Sequence, residues 1–135
     1  MTSDDVDTSR RRLQWMLAAS AAAPTLSGAL QILRGAQGAP GNPHDVSATI
    51  DAELRYANVF KAAAGPIIWS QLDKADTSPV VTAALGTIFV GGMARLLSWH
   101  QSGKPHPAAM VAIGLEVGVV PILMAWRHRM AAQTA

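Results

Sequence analysis

The chain has 135 residues, half of them hydrophobic and only 15% charged, with a formal charge of +2. Soluble domains usually carry about a quarter charged residues, and so small a positive excess leaves no electrostatic footprint for nucleic acid. The absence of cysteine excludes disulfides, thiolate zinc sites and a cysteine nucleophile.

Four apolar spans of about 20 residues, each enough to cross ~30 Å of hydrocarbon, fit within this length. Residues 1–12 read as a cytoplasmic tail, polar at Asp4, Asp5 and Asp7 and closed by Arg10, Arg11 and Arg12. A first span follows over 13–33, rich in alanine, serine and glycine. Small residues let helices approach closely in lipid, and Pro24 should kink the span. A rival reading of this end is a twin-arginine secretion signal, because three arginines precede a short apolar run. The apolar character continues well past Ala23 to Arg34, which favours an uncleaved span.

Gly35, Gly38, Pro40, Gly41 and Pro43 make residues 34–49 the longest loop. The second span, 52–72, is studded with Glu53, Arg55, Asn58 and Lys61, and Gly65-Pro66 should bend it. Taken alone it also fits an interfacial helix. A polar turn with Asp73, Lys74 and Asp76 leads to Ser78-Pro79, a serine cap followed by proline at the first helical position. The third span covers 79–99. Gly103 and Pro105 break the chain, and the fourth span covers 107–126, followed by Arg127, His128 and Arg129. The membrane domain therefore spans 13–130, with a C-terminal tail at 131–135. The four tryptophans, Trp15, Trp69, Trp99 and Trp126, fall near span ends, where amphipathic rings favour the interface.

One set of span ends carries Arg10, Arg11, Arg12, Lys74, Arg127 and Arg129, and the other only Arg34 and Lys104. The positive-inside rule then puts both termini in the cytoplasm and the long loop and the Gly103 turn outside.

Charges inside spans usually face a bundle interior and pair. The candidates are Glu53, Arg55, Lys61, Arg95 and Glu116. At 1.5 Å per residue, Glu53 and Arg55 sit near the outer surface, Arg95 roughly one turn in, and Lys61 and Glu116 both ~14 Å down. Glu116 is expected to pair with Lys61 or Arg95. Ala84, Ile88, Gly91, Gly92 and Trp99 share the side of Arg95, largely a small-residue groove open to a neighbouring helix or a ligand. On the fourth span Gly114 and Gly118 form a GxxxG pair, and Glu116 points nearly opposite, because two residues turn a helix by about 200°. That glycine face either seats a neighbouring span or meets another protein or a second copy.

The charges read either as structural ion pairs or as a polar pocket in the outer half, made of Glu53, Arg55, Arg95 and Glu116, for a lipid headgroup, a quinone-like molecule or a proton. His44, His100 and His106 sit at the outer end with no zinc-ligand spacing, so no metal is expected. There is no G-x-S-x-G, P-loop, G-x-G-x-x-G or H-E-x-x-H. Ser98 and His100 are two apart on a helix and point different ways, which argues against a serine nucleophile. Neither a catalytic residue nor a cofactor is expected.

At Asp51-Ala-Glu-Leu-Arg-Tyr, Gly91-Gly-Met-Ala-Arg-Leu-Leu-Ser, Gly103-Lys-Pro-His-Pro and Leu115-Glu, the sequence resembles the small bacterial four-span membrane proteins of the family catalogued as domain of unknown function 4345. The resemblance covers roughly residues 48–127, with the first span alike in hydrophobicity alone. It implies a four-span fold and polar positions at Glu53, Arg55, Arg95 and Glu116, while Lys61 falls where it implies an apolar residue. It carries no activity. A more distant similarity is to DoxX-type four-helix membrane proteins.

The sequence thus predicts an all-α, integral membrane four-helix bundle in the cell (inner or plasma) membrane, touching membrane lipids and not nucleic acid. The expected role is a non-enzymatic accessory or stabilising subunit of a larger membrane complex, or a homo-oligomer. That rests on small size, short loops and a glycine face turned from the charges. The alternatives are a binder or carrier of a lipid or other small amphiphile through the charged pocket, and a membrane enzyme on a lipid or isoprenoid with Glu116 as base.

Overall fold

A computed structural model describes residues 3–134; Met1, Thr2 and Ala135, the extremes of the two expected tails, lie outside the described residues. All regular structure described is helical. Helix α1 (Ser3–Arg34) leads through a 3₁₀ turn (Gly35–Gly38) and an irregular loop to α2 (Ala48–Trp69). A second 3₁₀ turn (Leu72–Lys74) precedes α3 (Pro79–Ser102). Then α4 (Pro107–Gly114), a π turn (Leu115–Val119) and α5 (Val120–Thr134) follow without a break as a fourth rod.

Local chemistry sets most of these ends. Asp4 and Asp5 lie in the first turn of α1, at the positive end of its dipole, and Arg34 lies in the last. The polar start is therefore helix rather than a separate tail, since nothing before Pro24 interrupts it. Pro24 itself sits inside α1 without ending it. Gly35, at φ +60°, turns the chain out of α1. The Ser47 hydroxyl accepts from Ile50 N–H at 3.3 Å and starts α2 earlier than residue 52. At α3 the expected pair acts as read: Ser78 caps Val81 N–H, and Pro79 occupies the first turn. Gly103, at φ +91°, ends α3.

The π turn has a visible cause. Pro121 has no N–H to give to the Val117 carbonyl, so the ladder before it loosens, and Val120 N–H reaches back to Leu115 O. The sequence reading placed an ordinary helix here.

The helices alternate in direction. The start of α1 meets the α2–α3 turn, and the start of α2 meets the end of α1. The densest apolar core, formed by Leu13, Leu17, Ile68, Val81, Leu85 and Leu123, lies toward the end that bears the termini. The outside is apolar too: Trp15, Leu26, Leu33, Val90, Val111 and Ile122 are each at least 64% exposed. A soluble monomer rarely shows so much exposed apolar surface. The stretches Asp4–Gly38, Pro79–Ser102 and Pro107–Gln133 are each long and apolar enough to cross a membrane. Helix α2 does not qualify, because Asp51, Glu53, Arg55 and Lys61 dilute it.

Polar clamps close the terminus-bearing end. Arg127 is 4% exposed, and its guanidinium donates to the Ala75 and Ser78 carbonyls and to Thr82 Oγ1. Arg10 donates to Asp73 O at 2.9 Å and pairs with buried Asp76 at 3.1 Å. The Trp126 indole donates to Ser9 Oγ, and Gln14 donates to Leu72 O. Two arginines read as flanking charges thus hold the α2–α3 turn against α1 and the fourth rod.

Close approach joins α1 to α2. A Cβ on Gly28 would stand 2.8 Å from the backbone nitrogen of Ala62, which cannot step aside. Gly28→Val should therefore lower stability by about 1–3 kcal/mol through overpacking. Gly86→Ala, where a Cβ meets nothing within 4 Å, should fall within about 0.5 kcal/mol of the parent. Thermal unfolding in mild detergent checks both, and equal midpoints for the two variants would rule out a tight α1–α2 seam.

Candidate functional site

Three elements bring charge to the middle of the bundle. Arg95 lies on α3 and Glu116 in the π turn, with Nε and Oε2 3.2 Å apart. Their seat is Gly92, buried one turn before Arg95. A Cβ there would come 2.7 Å from the Cβ of Glu116 and 2.9 Å from Val117 Cγ2. The bare glycine is what allows the π turn to lean against α3 and deliver the carboxylate. Of the small-residue groove expected around Arg95, this part is filled by Glu116 itself.

The pair is unequal in its surroundings. The Glu116 side chain is 17% exposed and that of Arg95 is 37%. Oε2 is buried and accepts no hydrogen bond, so the guanidinium meets it as an ion contact. Lys61, half-buried on α2, is close enough to interact electrostatically with both. By helix rise, Glu116 is ~14 Å below the start of α4, and Lys61 ~12 Å above the end of α2.

The four charged residues expected to line one pocket, Glu53, Arg55, Arg95 and Glu116, do not come together. Arg55 belongs to a separate clasp at the end of the bundle away from the termini. It pairs with Asp51 at 2.7 Å and donates to the Ile32 carbonyl at 2.7 Å and to the Leu33 carbonyl at 3.2 Å. Asp51 also accepts from Ala36 N–H at 2.7 Å. This clasp satisfies the last carbonyls of α1, which would otherwise lack partners. Glu53 is exposed on α2 and takes no part in either group. The sequence reading missed Asp51, although its i,i+4 spacing to Arg55 was the signal.

Gly114 and Gly118 are exposed, and a Cβ on either meets nothing within 4 Å. Among the described residues no neighbouring span seats on them. Glu116 turns inward to Arg95 while these glycines face out, the opposition expected from their spacing.

Breaking a half-buried ion pair from one side leaves a charge without its counter-ion, which costs about 3–5 kcal/mol in protein interiors, whereas removing both partners costs less. With Lys61 nearby the two sides differ. Glu116→Met leaves two cations facing each other, while Arg95→Met leaves Glu116 with Lys61 as a replacement. Unfolding in mild detergent should rank Glu116→Met as the most destabilised, Arg95→Met next and the double variant milder than Glu116→Met. Greater loss in Arg95→Met than in Glu116→Met would remove Lys61 from the cluster.

The family model described as "Domain of unknown function (DUF4345)" matches residues 12–127. The match takes in the first helix, beyond the stretch whose motifs carry the resemblance, and includes every charged candidate and both outward glycines. No curated protein and no solved structure matches the chain. The fold, the charged centre and the family match lie over the same residues, and the chain belongs to the family of domain of unknown function 4345.

Proposed function

We propose that this chain is an integral protein of the bacterial cell membrane, crossing it four times with both termini in the cytoplasm. Its role in this reading is that of a non-enzymatic accessory subunit, docked on a larger membrane complex that it stabilises. Helix α2 is the fourth span despite its charges. It lies antiparallel to α1 and at 22 residues it is long enough to cross; Asp51 and Arg55 pair with each other, Arg55 also meets α1 carbonyls, and exposed Glu53 sits near the start of the helix, which leaves Lys61 as its one deep charge. Terminal cations, with Lys74 and Arg129 exposed beside the clamps, support the inward orientation.

The observation that carries the subunit reading is the open Gly114–Gly118 face. Lipid tails fill a flat small-residue surface no better than any other. A second helix packs there closely, because its backbone can approach. The described loops are short apart from the one before α2, so contact with a partner falls mostly within the membrane.

Gentle affinity purification of the tagged chain from native membranes should recover one protein in stoichiometric amount. Gly118→Leu should cut that recovery by about tenfold, a change equivalent to about 1.4 kcal/mol of affinity, without altering the fold. A chain that purifies alone, as a monomer, from native membranes contradicts the reading.

A further inference from the structure

The central cluster is not balanced. Lys61 and Arg95 bring two positive charges to one carboxylate, Glu116. Arg95 is committed to Glu116 at 3.2 Å. The surplus therefore sits on Lys61, which is partly exposed on the flank of α2 with Phe60, 63% exposed, beside it. Gly91 on α3, roughly one turn from Arg95, is also exposed, and a Cβ there would meet nothing within 4 Å. A charge left in hydrocarbon is costly and is normally matched by a partner.

We infer that Lys61 is a docking charge that receives an aspartate or glutamate borne on a membrane span of the partner complex. The inference rests on the accessory-subunit reading and adds the chemistry of the partner.

Three occupants compete for the charge, and depth and charge decide among them. A second copy of this chain in the same orientation brings the same central surplus, and its exposed carboxylate on α2, Glu53, lies ~12 Å along the helix from the level of Lys61. An anionic lipid keeps its phosphate at the interface, while Lys61 lies ~12 Å from the nearer end of α2, so the headgroup would have to be drawn well into the hydrocarbon. A partner helix carries its carboxylate at whatever depth its sequence places it. It would bury its own charge against the ammonium at the same time. Gly91 gives such a helix room to approach beside Arg95.

The test uses the full chain in native membranes and identifies the copurifying protein by mass spectrometry. Lys61→Met should lower recovery of that protein by about tenfold or more, and Lys61→Arg should hold it within about twofold, because the charge is kept. The protein must carry an Asp or Glu within a span. Changing that residue to Lys should abolish recovery with the parent chain and restore it with Lys61→Glu. The partner-side change leaves this chain untouched, so it answers even where Lys61→Met fails to fold. Recovery that is indifferent to Lys61→Met or to the partner's change overturns the inference, as does a partner with no intramembrane carboxylate. An anionic phospholipid retained only when Lys61 is present, with no protein, overturns it in favour of a lipid site. Loss of the partner in Gly118→Leu but not in Lys61→Met removes the inference and leaves the subunit reading standing. Absence of any partner removes both.

Discussion

A charge placed among apolar helices must find its counter-charge, and here the requirement falls on Arg95 and Glu116. Their approach to 3.2 Å depends on two features that have no other evident purpose. Gly92 leaves out the side chain that would keep Glu116 away. Pro121 loosens the fourth rod into the π turn from which Glu116 projects. Remove either and α3 no longer meets the fourth rod in the same way at mid-depth.

The rest of the bundle follows the same logic at two other levels. At the terminus-bearing end, Arg127 and Arg10 gather the carbonyls and Asp76 of the α2–α3 turn, beside the tightest apolar packing. At the other end, Asp51 and Arg55 close the α1–α2 connection. Between them, Gly28 lets α1 and α2 touch backbone to backbone. In lipid, apolar burial gives little drive for helices to associate, so close packing and polar bonds carry more of the specificity than they do in water. The many large apolar side chains left on the outside, Trp15 and Leu33 among them, suit that solvent.

How much of this was legible in the sequence varies by element. The Ser78-Pro79 start was plain, because cap and proline are local signals that tertiary contacts rarely overturn. The inward Glu116 and outward Gly114 and Gly118 followed from helix angles alone, and the π turn did not disturb their opposition. The pairing itself was narrowed to two cations, since spacing along separate helices does not fix which side chain reaches. The π turn was missed because Pro121 lies late in an apolar run, and no local signal says how the ladder absorbs it. Arg10 and Arg127 were read by charge alone. Their buried contacts arise from a turn more than sixty residues from the first and about fifty from the second, which no local pattern reports. Arg55 was assigned to the wrong group for a similar reason: its partners, Ile32 and Leu33, lie on the preceding helix.

In the proposed reading α2 crosses the membrane beside the other three rods and so keeps Lys61 within electrostatic reach of Arg95 and Glu116. The chain has no cysteine, so single cysteines can be placed without background. A membrane-impermeant maleimide applied to intact spheroplasts should label cysteine at Asn42 and at Ser102. It should label cysteine at Asp7, Thr77 and Gln133 only after permeabilisation. If Asn42 and Thr77 react from the same side, α2 lies on the surface rather than across the membrane, and Lys61 has no place beside Arg95 and Glu116.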